Sequence, residues 1–134
     1  MIASFLDEGI ISFLITKLFK YVILLYSMKT LKFAEPLPSL ILNKEKNTTW
    51  RIEDEKYLSV NDVVSCLRKK DLSEFAKIKI ISVKETTFEY LSFEDKDGHE
   101  TFSSDDEMYE TYSKYYSMEV KPETELKVVK FELL

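Results

Sequence analysis

From Phe75 to Thr86 the chain reads FAKIKIISVKET, an alternation of apolar and polar side chains that changes phase once. Lys77 and Lys79 alternate with Ile78 and Ile80. Ile80 and Ile81 then stand side by side, after which Ile81 and Val83 continue the apolar set. Alternation with period two marks a half-buried strand. The apolar face survives a phase change only where the backbone bends, so the segment predicts a long strand with a bulge or a barrel corner. A sheet built around it curls.

Shorter strands are expected at Lys29–Phe33, Asn47–Ile52, Val63–Leu67 and Glu125–Leu133, each alternating or β-branched. Phe88–Phe93 is a sixth, ambiguous segment. Pro36 and Pro38 stop the first strand, and Ser39–Asn43 reads as a short helical turn entered from that proline pair. Asn61-Asp62, Lys69-Lys70-Asp71 and Asp95–Gly98 read as turns, Asn61 because asparagine tolerates the left-handed backbone. Ser104 and Glu107 have capping-box spacing and open a helix through Tyr116, with Asp105 and Asp106 suited to its N-terminus. On that helix Met108, Tyr109, Tyr112 and Tyr116 form a packing stripe. About six strands and two short helices in one domain make an α+β fold, and short bent strands favour a small barrel with the helices flanking a cleft.

Composition narrows the chemistry. Of 134 residues only Gly9 and Gly98 are glycine, so glycine-rich phosphate loops are excluded. One cysteine, Cys66, and one histidine, His99, are too few for an ordinary Cys/His zinc site, and neither metal nor cofactor is expected. Cys66 sits on a predicted buried strand and reads as a core thiol, consistent with a reducing, cytoplasmic setting. The net charge of −5 is uneven: residues 28–88 carry +3 and residues 89–134 carry −8. That total argues against a broad polyanion-binding surface, yet leaves room for a local basic cleft in the first half. No DNA-specific motif is present.

Residues 1–27 stand apart. The run from Ile10 to Tyr26 is apolar except for Lys17 and Lys20, which share one helical face. Asp7 and Glu8 sit where a secretory signal is basic. Three readings remain open: a start at Met28, a membrane or partner helix over residues 10–26, or a helix packed on the domain. The domain proper is residues 28–134.

The segment Lys44 to Arg51 (KEKNTTWR) concentrates the reactive side chains. On a strand Thr49 and Arg51 point to one side and Trp50 to the other. Lys46 arrives from the preceding turn. A lysine whose pKa is lowered by burial can act as base for a neighbouring hydroxyl, and an arginine can hold an oxyanion or a nucleobase edge. Gly98-His99-Glu100 precedes the capped helix. Glu100 is a candidate acid/base carboxylate, and His99 a candidate for stacking or hydrogen bonding.

These motifs resemble the ASCH domain, a PUA-like barrel family, over Met28–Leu134. The family motif Gly-x-Lys-x-x-Thr/Glu-x-Arg reads here as Lys44, Lys46, Thr49 and Arg51, and a following Gly-Asp reads as Asn61-Asp62. Lys44 and Asn61 thus replace glycine, and Lys44 is strained if its backbone is left-handed. The Gly98–Glu100 run, the tyrosine-rich helix and the Val128–Phe131 strand fit one branch of the family. The resemblance implies a cleft lined by the motif residues that binds RNA or a nucleoside. In some bacterial members it also implies hydrolysis of N4-acetylcytidine by a lysine, a threonine and a distant glutamate, matched here by Lys46, Thr49 and Glu100. Arg51, Trp50, His99 and Lys44 would then contact the ligand. The competing expectation is a non-catalytic RNA or nucleotide-binding module, membrane-tethered if residues 10–26 act as an anchor.

Overall fold

The computed structural model describes residues 7–26, 28–54 and 56–134. Helix α1 spans Glu8–Tyr26 and strand β1 Lys29–Phe33, followed by α2 (Leu37–Leu42), β2 (Thr48–Arg51), β3 (Val63–Arg68) and β4 (Glu74–Thr87). A single 3-10 turn at Phe88–Tyr90 leads to α3 (Phe93–Lys96), α4 (Asp105–Tyr116) and β5 (Glu125–Leu133). The five strands form one mixed sheet in the order β1-β3-β4-β5-β2. Strand β1 pairs parallel with β3, and the other pairs are antiparallel.

The long strand carries its bulge where the phase changes. Ile80 lies opposite Phe131 and Ser82 opposite Lys130, so Ile81 is the extra residue and points to solvent. The expectation that Ile81 stays on the apolar face is therefore corrected. The bulge ejects it so that Val83 returns to the inner face opposite Val129. Curled this way, the sheet makes a half-barrel. Six strands become five: Phe88–Phe93 forms the 3-10 turn and the start of α3, because Ser92 and Asp95 complete a reciprocal capping box there. The Asp95–Gly98 turn is shortened for the same reason, since Asp95 lies inside α3.

Ser104 caps α4 by accepting the N–H of Glu107. The Glu107 carboxylate reaches back to the Ser103 N–H and hydroxyl, one residue before the expected partner. Ser117 closes the helix in the left-handed conformation. Strand β5 is buried on both faces. Val129 and Phe131 join Leu31, Phe33, Ile41, Cys66, Ile78 and Ile80 inside the curl, whereas Leu126 and Val128 pack outward with Trp50, Phe88, Met108 and Tyr112 under α4. Cys66 is fully buried in the inner cluster, and burial pushes its thiol up to about 12, as a core residue requires.

Of the N-terminal segment, residues 1–6 and 27 lie outside the described residues. Helix α1 leaves most of its large apolar side chains exposed from Ile10 to Val22, Ile11 being half-buried. No helix among the described residues is long and apolar enough to cross a membrane.

Candidate functional site

Strands β1 and β2 are the two edges of the sheet. Between them lies a cavity of about 200 Å³. Strand β1 contributes Lys32 and Phe33, α2 contributes Leu37, and β2 contributes Thr49, Trp50 and Arg51. Lys46, Glu100, Lys69 and three tyrosines of α4 (Tyr112, Tyr115 and Tyr116) complete the wall. Four basic side chains and one carboxylate line it, so a basic cleft exists in a chain of net charge −5. The volume lies below the ~300–1,000 Å³ of pockets for drug-sized ligands and suits a group the size of one nucleobase.

The turn before β2 brings Lys46 inward. Its side chain is 2% exposed, and Nζ donates to the Thr48 carbonyl at 2.7 Å and to Glu100 Oε2 at 2.5 Å. Burial lowers the Lys46 pKa against the pull of the Glu100 carboxylate. For Glu100 burial pushes upward, but the adjacent Lys46 ammonium and its hydrogen bond hold the carboxyl below its ordinary value. The resting pair is ionised.

Thr49 is buried, and its Oγ1 accepts from Arg51 Nε at 3.2 Å. Among the described residues Lys46 makes no direct hydrogen bond to Thr49, and no acceptor takes the Thr49 proton. Arg51 has no carboxylate partner among the described residues. Its guanidinium lies over the Phe33 ring, 4.9 Å from the centroid, and reaches the Lys32 carbonyl at 3.4 Å. Anion-binding capacity is thus left facing the cavity.

Glu100 owes its place to Gly98. The Gly98 carbonyl accepts the N–H groups of Asn47 and Thr48 at 2.9 and 3.0 Å, binding the loop to the start of β2. Its φ is +75°, and a Cβ there would lie 1.7 Å from Asn47 Oδ1. Both the conformation and the approach call for glycine.

His99 and Trp50 stand behind the wall. The rings stack with centroids 3.7 Å apart and an 11° interplanar angle, and Trp50 Nε1 donates to the Asp95 carbonyl. Trp50 borders the cavity, but one face of its ring is covered by His99. His99 Nδ1 lies 2.8 Å from the Glu100 carbonyl. A carbonyl only accepts, so Nδ1 carries the proton and Nε2 accepts from the Tyr112 hydroxyl at 2.9 Å. Burial and the neighbouring Lys46 ammonium push the His99 pKa down to about 4. His99 is neutral at physiological pH and positions Glu100 and Tyr112. Lys44 is exposed and outside the cavity lining. Lys32, Lys69 and Tyr115 were not singled out from sequence. Their only local signal is positive charge in β1 and the β3–β4 turn and an aromatic one residue off the helical stripe.

No protein-family model matches the chain, and no curated protein sequence matches it. Solved structures do. An ASCH domain from Lactobacillus crispatus superposes with a TM-score of 0.56 at 18% identity, over 72% of this chain and 69% of that one. The hypothetical protein PH0355 gives 0.62 at 18% identity, over 80% and 99%. A protein from Pyrococcus furiosus gives 0.56 at 18% identity, over 80% and 97%. The chain has the ASCH fold. Two non-glycine residues adopt a left-handed backbone at positions where the motif resemblance has glycine: Lys44 has φ +63° and Asn61 +74°. Asparagine tolerates this conformation, whereas lysine adopts it at a cost of roughly 1–2 kcal/mol. Replacing the exposed Lys44 with glycine is therefore expected to stabilise the domain by about 0.5–1 kcal/mol, the relief of left-handed strain less the extra entropy of unfolded glycine. Urea denaturation measures this, and an unchanged or lower midpoint would show that Lys44 is unstrained.

Proposed function

We propose that the cavity binds a nucleoside, free or within RNA, and hydrolyses an N4-acetyl amide on its cytosine. The observation that carries this reading is the convergence of Lys46, Thr49, Glu100 and Arg51 on one base-sized cavity. The resemblance to acetylcytidine-hydrolysing ASCH proteins supplies the substrate class.

The chemistry follows from the contacts. The 2.5 Å Lys46–Glu100 hydrogen bond is a path for one proton. Passing it to Glu100 leaves a neutral Lys46 amine, a state that burial favours. As Thr49 Oγ1 attacks the acetyl carbonyl, its proton moves to Lys46, directly or through one water. Arg51 donates N–H groups to the developing oxyanion. Protonated Glu100 gives its proton to the departing N4 amine, and cytidine leaves. Water then attacks the threonyl acetate ester and gives a proton to Glu100, while Thr49 recovers its own proton from Lys46. Acetate leaves, and the ion pair re-forms.

Incubating the full chain with N4-acetylcytidine tests this. Cytidine should be released, and Thr49→Ala should lower release to background. Absence of cytidine from the unsubstituted protein would sink the reading. The missing Lys46–Thr49 hydrogen bond favours a second one, a binding module that holds a base through Arg51 and the α4 tyrosines without turnover. Its mark is RNA affinity that falls steeply with salt and survives Thr49→Ala.

A further inference from the structure

We propose that α1 lies in the plane of a lipid bilayer's headgroup region and holds the domain on a membrane surface. The proposal is independent of the chemistry of the cavity. Helix α1 runs for 19 residues, about 28 Å at 1.5 Å per residue. Phe13, Leu14, Ile15, Leu18 and Phe19 are each between 58% and 63% exposed. At 3.6 residues per turn the arc from Ile10 through Leu14, Leu18 and Val22 to Phe19 covers roughly half of the circumference. A contiguous apolar surface of this kind has an occupant.

The breadth of the arc says which. A helix–helix seam uses a narrow stripe, and a protein partner on one side would leave the rest of this arc wet. A bilayer interface covers a wide arc at once. The polar side agrees. Ser12, Thr16, Lys20 and Lys17 lie on the opposite arc, which they share with Phe13, whose ring Lys17 covers. Residues 9–26 contain two lysines and no carboxylate, in a chain that is otherwise acidic. Anionic headgroups complement that arc, and lysine stems of this length carry their ammonium groups to the phosphate level.

The domain carries exposed apolar side chains of its own. Met28 precedes β1, and since Lys29 pairs with Val64, it sits beside the exposed Val63. The Asn61 N–H donates to the Ile80 carbonyl, which brings the exposed Val60 next to the ejected Ile81.

The test is flotation of the full chain with vesicles of phosphatidylcholine, alone or mixed with phosphatidylserine. The protein should float with both, more with the anionic mixture, and salt should remove the excess. The double variant Leu14→Glu/Leu18→Glu should keep the far-ultraviolet dichroism of the domain and float at least about tenfold less, because two charges replace the centre of the apolar arc. Lys17→Glu/Lys20→Glu should lose the preference for phosphatidylserine. A wild-type chain that stays with the vesicle-free fraction, or a Leu14→Glu/Leu18→Glu variant that floats equally, would overturn the proposal. So would concentration-dependent self-association without flotation, which would assign the arc to a second copy of the chain.

Discussion

Replacing Glu100 with alanine is expected to destabilise the domain by about 3 kcal/mol at pH 7, the usual order for removing one partner of a buried ion pair. Lys46 has Thr48 O as its only other hydrogen-bond partner among the described residues. Without the carboxylate its ammonium must stay charged in a buried place or release its proton. The pH dependence separates this from lost packing. Burial already holds the folded Lys46 pKa below its ordinary value, and losing Glu100 lowers it further. Below 10.5 the unfolded chain then binds the proton more readily, so the variant regains stability as pH rises through the folded pKa toward that value. Urea midpoints at pH 7 and pH 9.5 should therefore converge toward wild type. The apolar pair Lys46→Met/Glu100→Leu should recover most of the loss at pH 7, since no charge remains to be buried. A Glu100→Ala protein as stable as wild type, or equally weakened at both pH values, would mean that the pair does not govern the charge of Lys46.

A second large effect belongs to His99. Its pKa of about 4 in the folded protein compares with 6.5 for an unperturbed imidazole. Between these values the unfolded chain binds a proton that the folded chain refuses, so stability falls with pH across that interval and levels off below about 4. The full loss is roughly 3 kcal/mol by linkage. Glu100, held below its ordinary value, adds a loss of the same sign only where its unfolded counterpart becomes protonated, below about 4.5. The window from pH 6.5 to 5 therefore reports His99. His99→Gln should flatten the slope of urea stability there, while lowering stability at pH 7 through the lost stack on Trp50. Because the chain has a single histidine, its imidazole proton resonance is unambiguous and should titrate near pH 4. A midpoint near 6.5 would mean that the ring is solvated and free to contact ligand.

The bend of the sheet was legible from Ile80-Ile81, since two adjacent apolar residues in a period-two pattern require an extra residue on one strand. Which isoleucine would be expelled was not, because that depends on the register with β5. Asn61 was legible as a left-handed turn residue, and Lys44 only conditionally, from the glycine that the resembling motif has at its position. Strand parity alone put Thr49 and Arg51 on one side, and both line the cavity, though Trp50 borders it as well. Phe88–Phe93 was ambiguous because its aromatics suit a strand, while the Ser92–Asp95 box that starts α3 at its end uses aspartate where the familiar pattern has glutamate. The remaining wall of the cavity was hidden for a different reason. Lys32, Lys69 and Tyr115 come from three separate elements and meet only when the half-barrel curls. The same holds for His99, whose neutrality and positioning role follow from burial under α4.

The edge position of β2 has a consequence for synthesis. Its only sheet partner is β5, through pairings such as Thr48 with Lys130 and Thr49 with Val129. On the ribosome β1, β3 and β4 can pair as soon as residue 87 has emerged. The segment bearing Lys46, Thr49 and Arg51 must wait with no strand to hold it until Glu125–Leu133 follows. Closing so long a loop is a late, non-local step. These cavity residues are translated early and assembled last, so a chain interrupted before Glu125 carries the whole Lys46–Arg51 motif without a cavity to put it in.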